Sequence, residues 1–361
     1  MKNRKQYFTI IAILAILFNI QAVERYKDHV FTGITRENGI TYRTAVNAAQ
    51  KVDTLKLDYY TPEGDNETKR PLIIFIHGGS FVMGTRSEQY AVGFCSDMAM
   101  RGYAVASISY RLGVQTMSET EFRKAIYRAV QDSKGAVRFF RAHAAEYGID
   151  PNIIILAGYS AGAITTLHHA YIGDEDAAII ADPDLMGELD SGDYTDFSSS
   201  VNVAVSFSGA IGDTLWMSKG SVPVISIHGT ADNVVPFSSG NAFSLPTMPL
   251  LYGSGTVHAY LEHHSIVNKL VSIENETHNL TTNSWSNSFP EVASFIYGQM
   301  TPISSVQKSP RLAKIANAKS SMLISIHKPS LVSPAFNLKG RQIPPVHRKS
   351  SAGTYLIRGN R

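Results

Sequence analysis

Short apolar runs recur through the middle of the chain at Leu72 to Ile76, Tyr103 to Ser109, Ile153 to Ala157, Val201 to Ser206, Pro223 to His228 and Leu270 to Ile273. Each is followed by a longer amphipathic or loop segment, the rhythm of an α/β domain. Most of the runs are apolar throughout, as expected for strands covered by helices on both faces. Ahead of them Thr54 to Tyr60 alternates like an antiparallel strand, and Glu37-Asn38-Gly39 within Val30 to Thr44 has the chemistry of a hairpin turn. Antiparallel strands therefore precede a parallel sheet. Between the second and third runs, Phe122, Ile126, Ala129, Val130, Ala136, Val137, Phe140 and Ala144 line one face of a helix over Phe122 to Ala145, which covers the sheet. Gly148 stops that helix and Pro151 forbids its continuation.

The two ends of the chain depart from this rhythm. Lys2, Arg4 and Lys5 are followed by the apolar stretch Tyr7 to Phe18 and by the small residue Ala22, the layout of an export signal over residues 1–22. The apolar stretch is shorter than the roughly 20 residues a membrane-spanning helix needs. From Ser304 the texture turns to Ser, Lys and Pro, with Pro329, Pro334, Pro344 and Pro345 breaking up the short apolar runs Met322 to Ile326 and Thr354 to Ile357. Residues 23–300 are read as one domain, and residues 301–361 as a basic extension that is either a small β module or a partly ordered tail. Charge follows the same boundary. Of 33 Lys and Arg, eleven lie in residues 301–361, which contain no Asp or Glu, so the formal net charge of +3 conceals an acidic domain. The basic segment lacks interleaved aromatics and any nucleic-acid motif, which argues against a nucleic-acid partner. A single cysteine, Cys95, excludes an intramolecular disulfide and a cysteine-based zinc site.

Candidate chemistry centres on Gly158-Tyr159-Ser160-Ala161-Gly162, a G-x-S-x-G pattern entered from an apolar strand and left through a helical stretch. That is the context of a nucleophile elbow, where the residues two away from the serine must lack bulk. Upstream, the run ending at Ile76 leads into His77-Gly78-Gly79-Ser80-Phe81, the position of an oxyanion loop. The backbone N–H groups of Gly79, Ser80 and Ala161 are the expected donors, and His77 a loop-fixing residue. A serine nucleophile needs a base and an orienting acid, in the chain order Ser, Asp or Glu, His. Asp232, in the loop after Pro223 to His228, is the expected acid, with Asp213 as competitor. His278, just beyond the last apolar run, is the expected base, with His258, His263 and His264 as alternatives.

Through His77 to Gly84, Gly102 to Leu112, Ala129 to Ser160 and His228 to Pro236, residues 54–299 resemble the bacterial carboxylesterases and carbohydrate esterases of the α/β-hydrolase superfamily. The resemblance implies the α/β-hydrolase fold, a mostly parallel sheet of about eight strands flanked by helices. It also implies ester hydrolysis through an acyl-enzyme on Ser160, with no cofactor and no metal. Carboxylesters are the expected substrate, with acetyl or feruloyl groups on plant polysaccharide as a narrower reading. Lipids, polyesters and a peptidase relative are alternatives, and so is a non-catalytic surface binding module. Ser80 stands where such loops commonly carry glycine. Phe336 to Arg341 and Ser351 to Ile357 resemble the C-terminal sorting modules of secreted Gram-negative enzymes, which implies secretion machinery as a partner and a secreted or cell-surface location. Trp216 and Met217 are read as pocket or core, Asp182 to Ser199 as a segment where such folds insert lids, Cys95 as a core thiol, and Tyr110, Arg111 and Asp132 as a structural polar set.

Overall fold

The computed structural model describes residues 23–219 and 222–300, so the expected export signal and the C-terminal extension lie outside the described residues. In chain order the strands and helices are β1 (Ile34–Val46), β2 (Val52–Pro62), β3 (Arg70–Ile76), α1 (Gln89–Met100), β4 (Ala104–Ile108), α2 (Glu119–Ala142), β5 (Ile149–Tyr159), α3 (Ala161–Tyr171), α4 (Asp174–Ile180) and α5 (Pro183–Met186). They continue with β6 (Val203–Phe207), β7 (Ala210–Ile211), β8 (Val224–Gly229), β9 (Ser239–Asn241), β10 (Leu250–Gly253), α6 (Ser254–His263), β11 (Asn268–Ile273), α7 (Thr282–Asn287) and α8 (Phe289–Met300). Eight strands form one sheet in the order β1-β2-β4-β3-β5-β6-β8-β11, in which β2 alone runs against its neighbours.

The continuous apolar runs are explained by two cores. Along β3, Leu72, Ile74 and Ile76 face one layer while Ile73 and Phe75 face the other. Along β5, Ile154 and Leu156 oppose Ile155 and Ala157 in the same way. One layer is closed by α2, α3 and α6 through residues such as Ile126, Leu167 and Leu261, the other by α1, α7 and α8 through Phe94, Trp285 and Ile296. Cys95 is buried in the second layer, and burial pushes its thiol pKa up. The helix read as Phe122 to Ala145 starts earlier, because Ser118 caps it by accepting from the Glu121 N–H, and it ends at Ala142.

One expectation is corrected. Glu37-Asn38-Gly39 is not a hairpin turn but an irregularity inside β1, where pairing steps from Asn38 opposite Asp58 to Ile40 opposite Leu57. Gly39, at φ 77°, serves a bulge as readily as a turn. The β1–β2 connection is instead made around Asn47, whose side chain accepts from the N–H groups of Ala49 and Lys51. A second sheet of three short strands, β7-β10-β9, stands apart from the main one. It frames the excursion between β8 and α6, beside the carboxyl ends of the parallel strands, where open α/β sheets place their sites.

Candidate active site

Ser160 sits between the last residue of β5 and the first of α3 at φ 54°, ψ −118°. An L-residue holds such a conformation only where its surroundings over-determine it. Here the Ser160 N–H donates to the Phe207 carbonyl at 2.9 Å and its carbonyl accepts from the Ile164 N–H at 2.9 Å. Strand and helix approach so closely that a Cβ on Gly158 would lie 2.3 Å from the carbonyl carbon of Gly162, and one on Gly162 would lie 2.0 Å from the Ile76 oxygen. The two glycines are therefore demanded by contact.

Three residues far apart in sequence meet at this turn. The Ser160 Oγ lies 2.8 Å from His278 Nε2, and His278 Nδ1 lies 2.7 Å from Asp232 Oδ2. A carboxylate only accepts, so Nδ1 carries the proton and Nε2 is left to accept from the serine hydroxyl. The Tyr159 ring stacks on His278 at 5.5 Å and its hydroxyl donates to the His278 carbonyl at 3.1 Å, fixing the loop that presents the imidazole. Asp232 is anchored on both oxygens. Its Oδ1 accepts from the N–H groups of Val234 and Val235 at 2.8 and 3.0 Å. Its Oδ2 faces His228 Nε2 at 3.0 Å as well as His278. Burial alone would raise this carboxyl, but hydrogen bonds from His228 and His278 outweigh it and hold the pKa at about 2.

Nothing in the sequence pattern marks His228 as functional, although it lies four residues before the acid. It is fully buried, and its Nε2 faces two acceptors, Asp232 Oδ2 and the Val235 carbonyl at 3.1 Å, so Nε2 carries a proton. Its Nδ1 meets the Ser254 hydroxyl at 2.8 Å. The carboxylate is thus clamped between two imidazoles.

The loop after β3 takes left-handed backbone at three consecutive residues, Gly79 at φ 116°, Ser80 at 56° and Phe81 at 63°. A Cβ on Gly79 would lie 2.1 Å from the Met83 oxygen. The Ser80 side chain is accommodated in the ordinary left-handed region, and Phe81 is buried against Tyr110 and Phe122 as the anchor of the loop. The backbone N–H groups of Gly79, Ser80 and Ala161 have no acceptor among the described residues. Buried His77 donates from Nδ1 to the Gly78 carbonyl at 2.7 Å and stacks on Tyr110, and burial lowers its pKa to about 4.

The competing residues lie elsewhere. His258 is buried on α6 with Nδ1 against Asn268 Oδ1, while His263 and His264 are exposed at the end of that helix. Asp213 accepts from the Leu215 N–H at the start of the short 3-10 helix Thr214–Lys219. Trp216 and Met217 belong to the core, with Trp216 edge-on to His168. Asp182 to Ser199 does not overhang the site: Asp190 pairs with Lys134 and Arg138 of α2, and Ser199 leads into the amino end of β6. Arg111 is bound to Asp132 in a buried structural pair. Among the described residues no group of three or more His, Cys, Asp and Glu is placed to hold a metal ion.

Residues 57–216 match the family model described as BD-FAE. The chain is 32% identical over 120 residues to neuroligin-like protein glit-1 of Caenorhabditis elegans and 28% identical over 163 residues to chlorogenic acid esterase of Aspergillus niger, covering 32% and 43% of this chain. These matches span only 16% and 32% of the two relatives. The solved structure of Thermogutta terrifontis esterase 2 phosphorylated by paraoxon superposes with a TM-score of 0.53 at 24% identity, over 74% of this chain and 96% of that one. The eight-stranded sheet, the strand order and this superposition together give the chain the α/β-hydrolase fold.

Proposed function

We propose that this chain is an exported serine hydrolase that cleaves carboxylic esters through an acyl-enzyme on Ser160. The observation that carries the reading is the continuous relay from the Ser160 hydroxyl through His278 to Asp232, at 2.8 and 2.7 Å, on a strained elbow. Ser160 Oγ attacks the ester carbonyl carbon as His278 Nε2 takes its proton. Negative charge on the carbonyl oxygen is met by the N–H groups of Gly79, Ser80 and Ala161, already oriented before the reaction. His278 returns the proton to the leaving alcohol, and the C–O bond to that alcohol breaks. Water, deprotonated by the same nitrogen, then releases the acid and restores the serine. Asp232 holds the tautomer and stabilises the imidazolium without taking the proton.

The match to a chlorogenic acid esterase and the BD-FAE model support an ester substrate; acetyl or feruloyl groups on plant polysaccharide are the two narrower readings, between which the size of the acyl site decides. Export rests on the signal layout of residues 1–22, and display or passage at the outer membrane of a Gram-negative bacterium on the sorting-like pattern within residues 301–361. Purified chain should hydrolyse short p-nitrophenyl esters and label with a fluorophosphonate at Ser160, and Ser160→Ala should do neither. Undiminished hydrolysis by Ser160→Ala, or a folded chain that never labels, would overturn the reading, the latter in favour of a non-catalytic binding module.

A further inference from the structure

We infer that the reaction is confined to acetyl-sized acyl groups by an apolar cul-de-sac closed by Phe122 and Phe243, an inference that rests on the ester-hydrolase reading above. The direction of the acyl group follows from the relay. In the tetrahedral intermediate the carbon bears Ser160 Oγ, the oxyanion, the leaving oxygen and the acyl chain. The oxyanion faces the N–H groups of Gly79, Ser80 and Ala161, and the leaving oxygen must face His278 Nε2 to receive its proton. The acyl chain is left to point away from His278. A cavity beside the nucleophile is lined by Ser80, Ser160 and Ala161 together with Phe122, Ile164, Val234, Val235, Ala242 and Phe243, and His278 is not among its walls.

The volume of this cavity is about 10 Å³. That is the room of about one water-sized probe. A methyl group is of that order; a propyl chain or a phenylpropenoid ring is not. The walls are also held in place. Phe122 is 3% exposed and meets the rings of Phe81 and Phe243 edge-on, at 5.2 and 5.9 Å between centroids. Ile164 is 2% exposed on α3. Phe243 is fixed at φ 58°, its N–H donating to the Val234 carbonyl at 2.7 Å, in the excursion that β9 and β10 frame. Left-handed backbone is unfavourable for a residue with a large side chain, and here it falls on the ring that closes the cavity. A longer acyl chain has to displace packed aromatic side chains, and interiors of this density resist added methylenes.

The test compares 4-nitrophenyl acetate, butyrate, octanoate and ferulate on the full chain, which keeps the leaving group constant. Acetate should exceed butyrate at least tenfold in kcat/KM, and octanoate and ferulate at least a hundredfold. Phe243→Ala should reduce the acetate-to-butyrate ratio at least tenfold, and Phe243→Gly should do the same while relieving the left-handed backbone. Butyrate or ferulate turned over as well as acetate by the parent chain overturns the inference, as does an unchanged ratio in both folded variants. The parent panel decides even where a variant does not fold. A chain that labels at Ser160 and prefers butyrate refutes the cul-de-sac alone, whereas one that hydrolyses none of the four esters refutes the esterase reading with it.

Discussion

Three buried serine–histidine pairs of nearly equal length lie among the described residues; Ser254 and His228 stand behind the acid, and the other two bear comparison. Ser160 Oγ stands 2.8 Å from His278 Nε2 at the carboxyl end of the sheet, and Ser133 Oγ stands 2.7 Å from His169 Nδ1 between α2 and α3. Proximity therefore does not make a nucleophile. Behind His278 is the Asp232 carboxylate; behind His169, at Nε2, is only the Ser199 carbonyl at 2.8 Å. Burial, reinforced by repulsion from Lys134, lowers the His169 pKa to about 3, so the imidazolium that base catalysis must form is opposed there. Ser133 is fully buried inside a helix, and its single proton lies between two acceptors, His169 Nδ1 at 2.7 Å and the Val130 carbonyl at 2.9 Å. Ser160 has instead a strained turn that presents it and free N–H donors beside it. The chemistry lies in the carboxylate, the strain and the donors; the pair alone packs the interior.

The sharpest way to break this comparison is to delete each serine. Ser160→Ala should lower kcat by about 10⁶-fold, the scale of a lost nucleophile in a serine relay, while leaving the fold intact. Ser133→Ala should keep kcat/KM within about twofold and lose about 1–3 kcal/mol of stability, since a buried imidazole nitrogen is left without its donor. Ester hydrolysis and urea melts on the two variants check both halves. A Ser133→Ala variant with native stability and no activity would reverse the assignment of roles.

A smaller effect is expected where His228 clamps Asp232. His228→Ala removes the donor to Oδ2 and lets the carboxylate drift, and misplacement of a catalytic group on the ångström scale costs up to about 10²-fold in rate. We expect kcat to fall about 10- to 100-fold with KM little changed, and His228→Gln, which retains an N–H donor, to recover part of the loss. Steady-state kinetics on the two variants test this. Equal kcat in Ala, Gln and parent chains would reduce His228 to packing and leave His278 as the one imidazole that matters to Asp232.

Much of this site is legible in sequence because its members sit on short local patterns, Ser160 between a strand and a helix, Asp232 and His278 each just past an apolar run. The sheet is legible for a related reason: β3 and β5 are buried on both faces, which leaves continuous runs in the chain. His228 escapes such reading because its role depends on the loop that turns Asp232 back onto a residue four positions earlier. Glu37-Asn38-Gly39 misleads because a left-handed glycine serves a turn and a bulge alike, and only the pairing of Asn38 with Asp58 distinguishes them. The excursion that carries Phe243 is hidden because β7, β9 and β10 span two to four residues each, too few to show a period. Asp190 could not be assigned to the amino end of the sheet from spacing, since its partners Lys134 and Arg138 lie on the face of α2 that periodicity marks as ordinary helix.

The smallest expected difference between the two pairs is in their titration. His169 has a folded pKa of about 3, below the ordinary histidine value near 6.5, because burial disfavours its charge. Below about pH 6.5 the unfolded chain takes up a proton that the folded chain refuses, so this contribution to stability is complete above that pH and is lost as pH falls toward 3. The slope is up to about 1.4 kcal/mol per pH unit for one such group. Asp232 has the opposite kind of linkage in a different window. Its folded pKa of about 2 lies below the ordinary carboxylate value, so it stabilises the fold above about pH 4, and that contribution disappears as pH falls through 2. Urea melts between pH 7.5 and 4.5 should therefore be flattened in His169→Gln by about 1 kcal/mol per unit, after allowance for the steeper background from buried His77 and His168, both also lowered to about 4. Asp232→Asn should leave the slope in that window unchanged. Should the two variants alter it equally, the imidazole at Ser133 is not held neutral, and the distinction between a packed pair and a reactive one has to rest on the strained backbone at Ser160 alone.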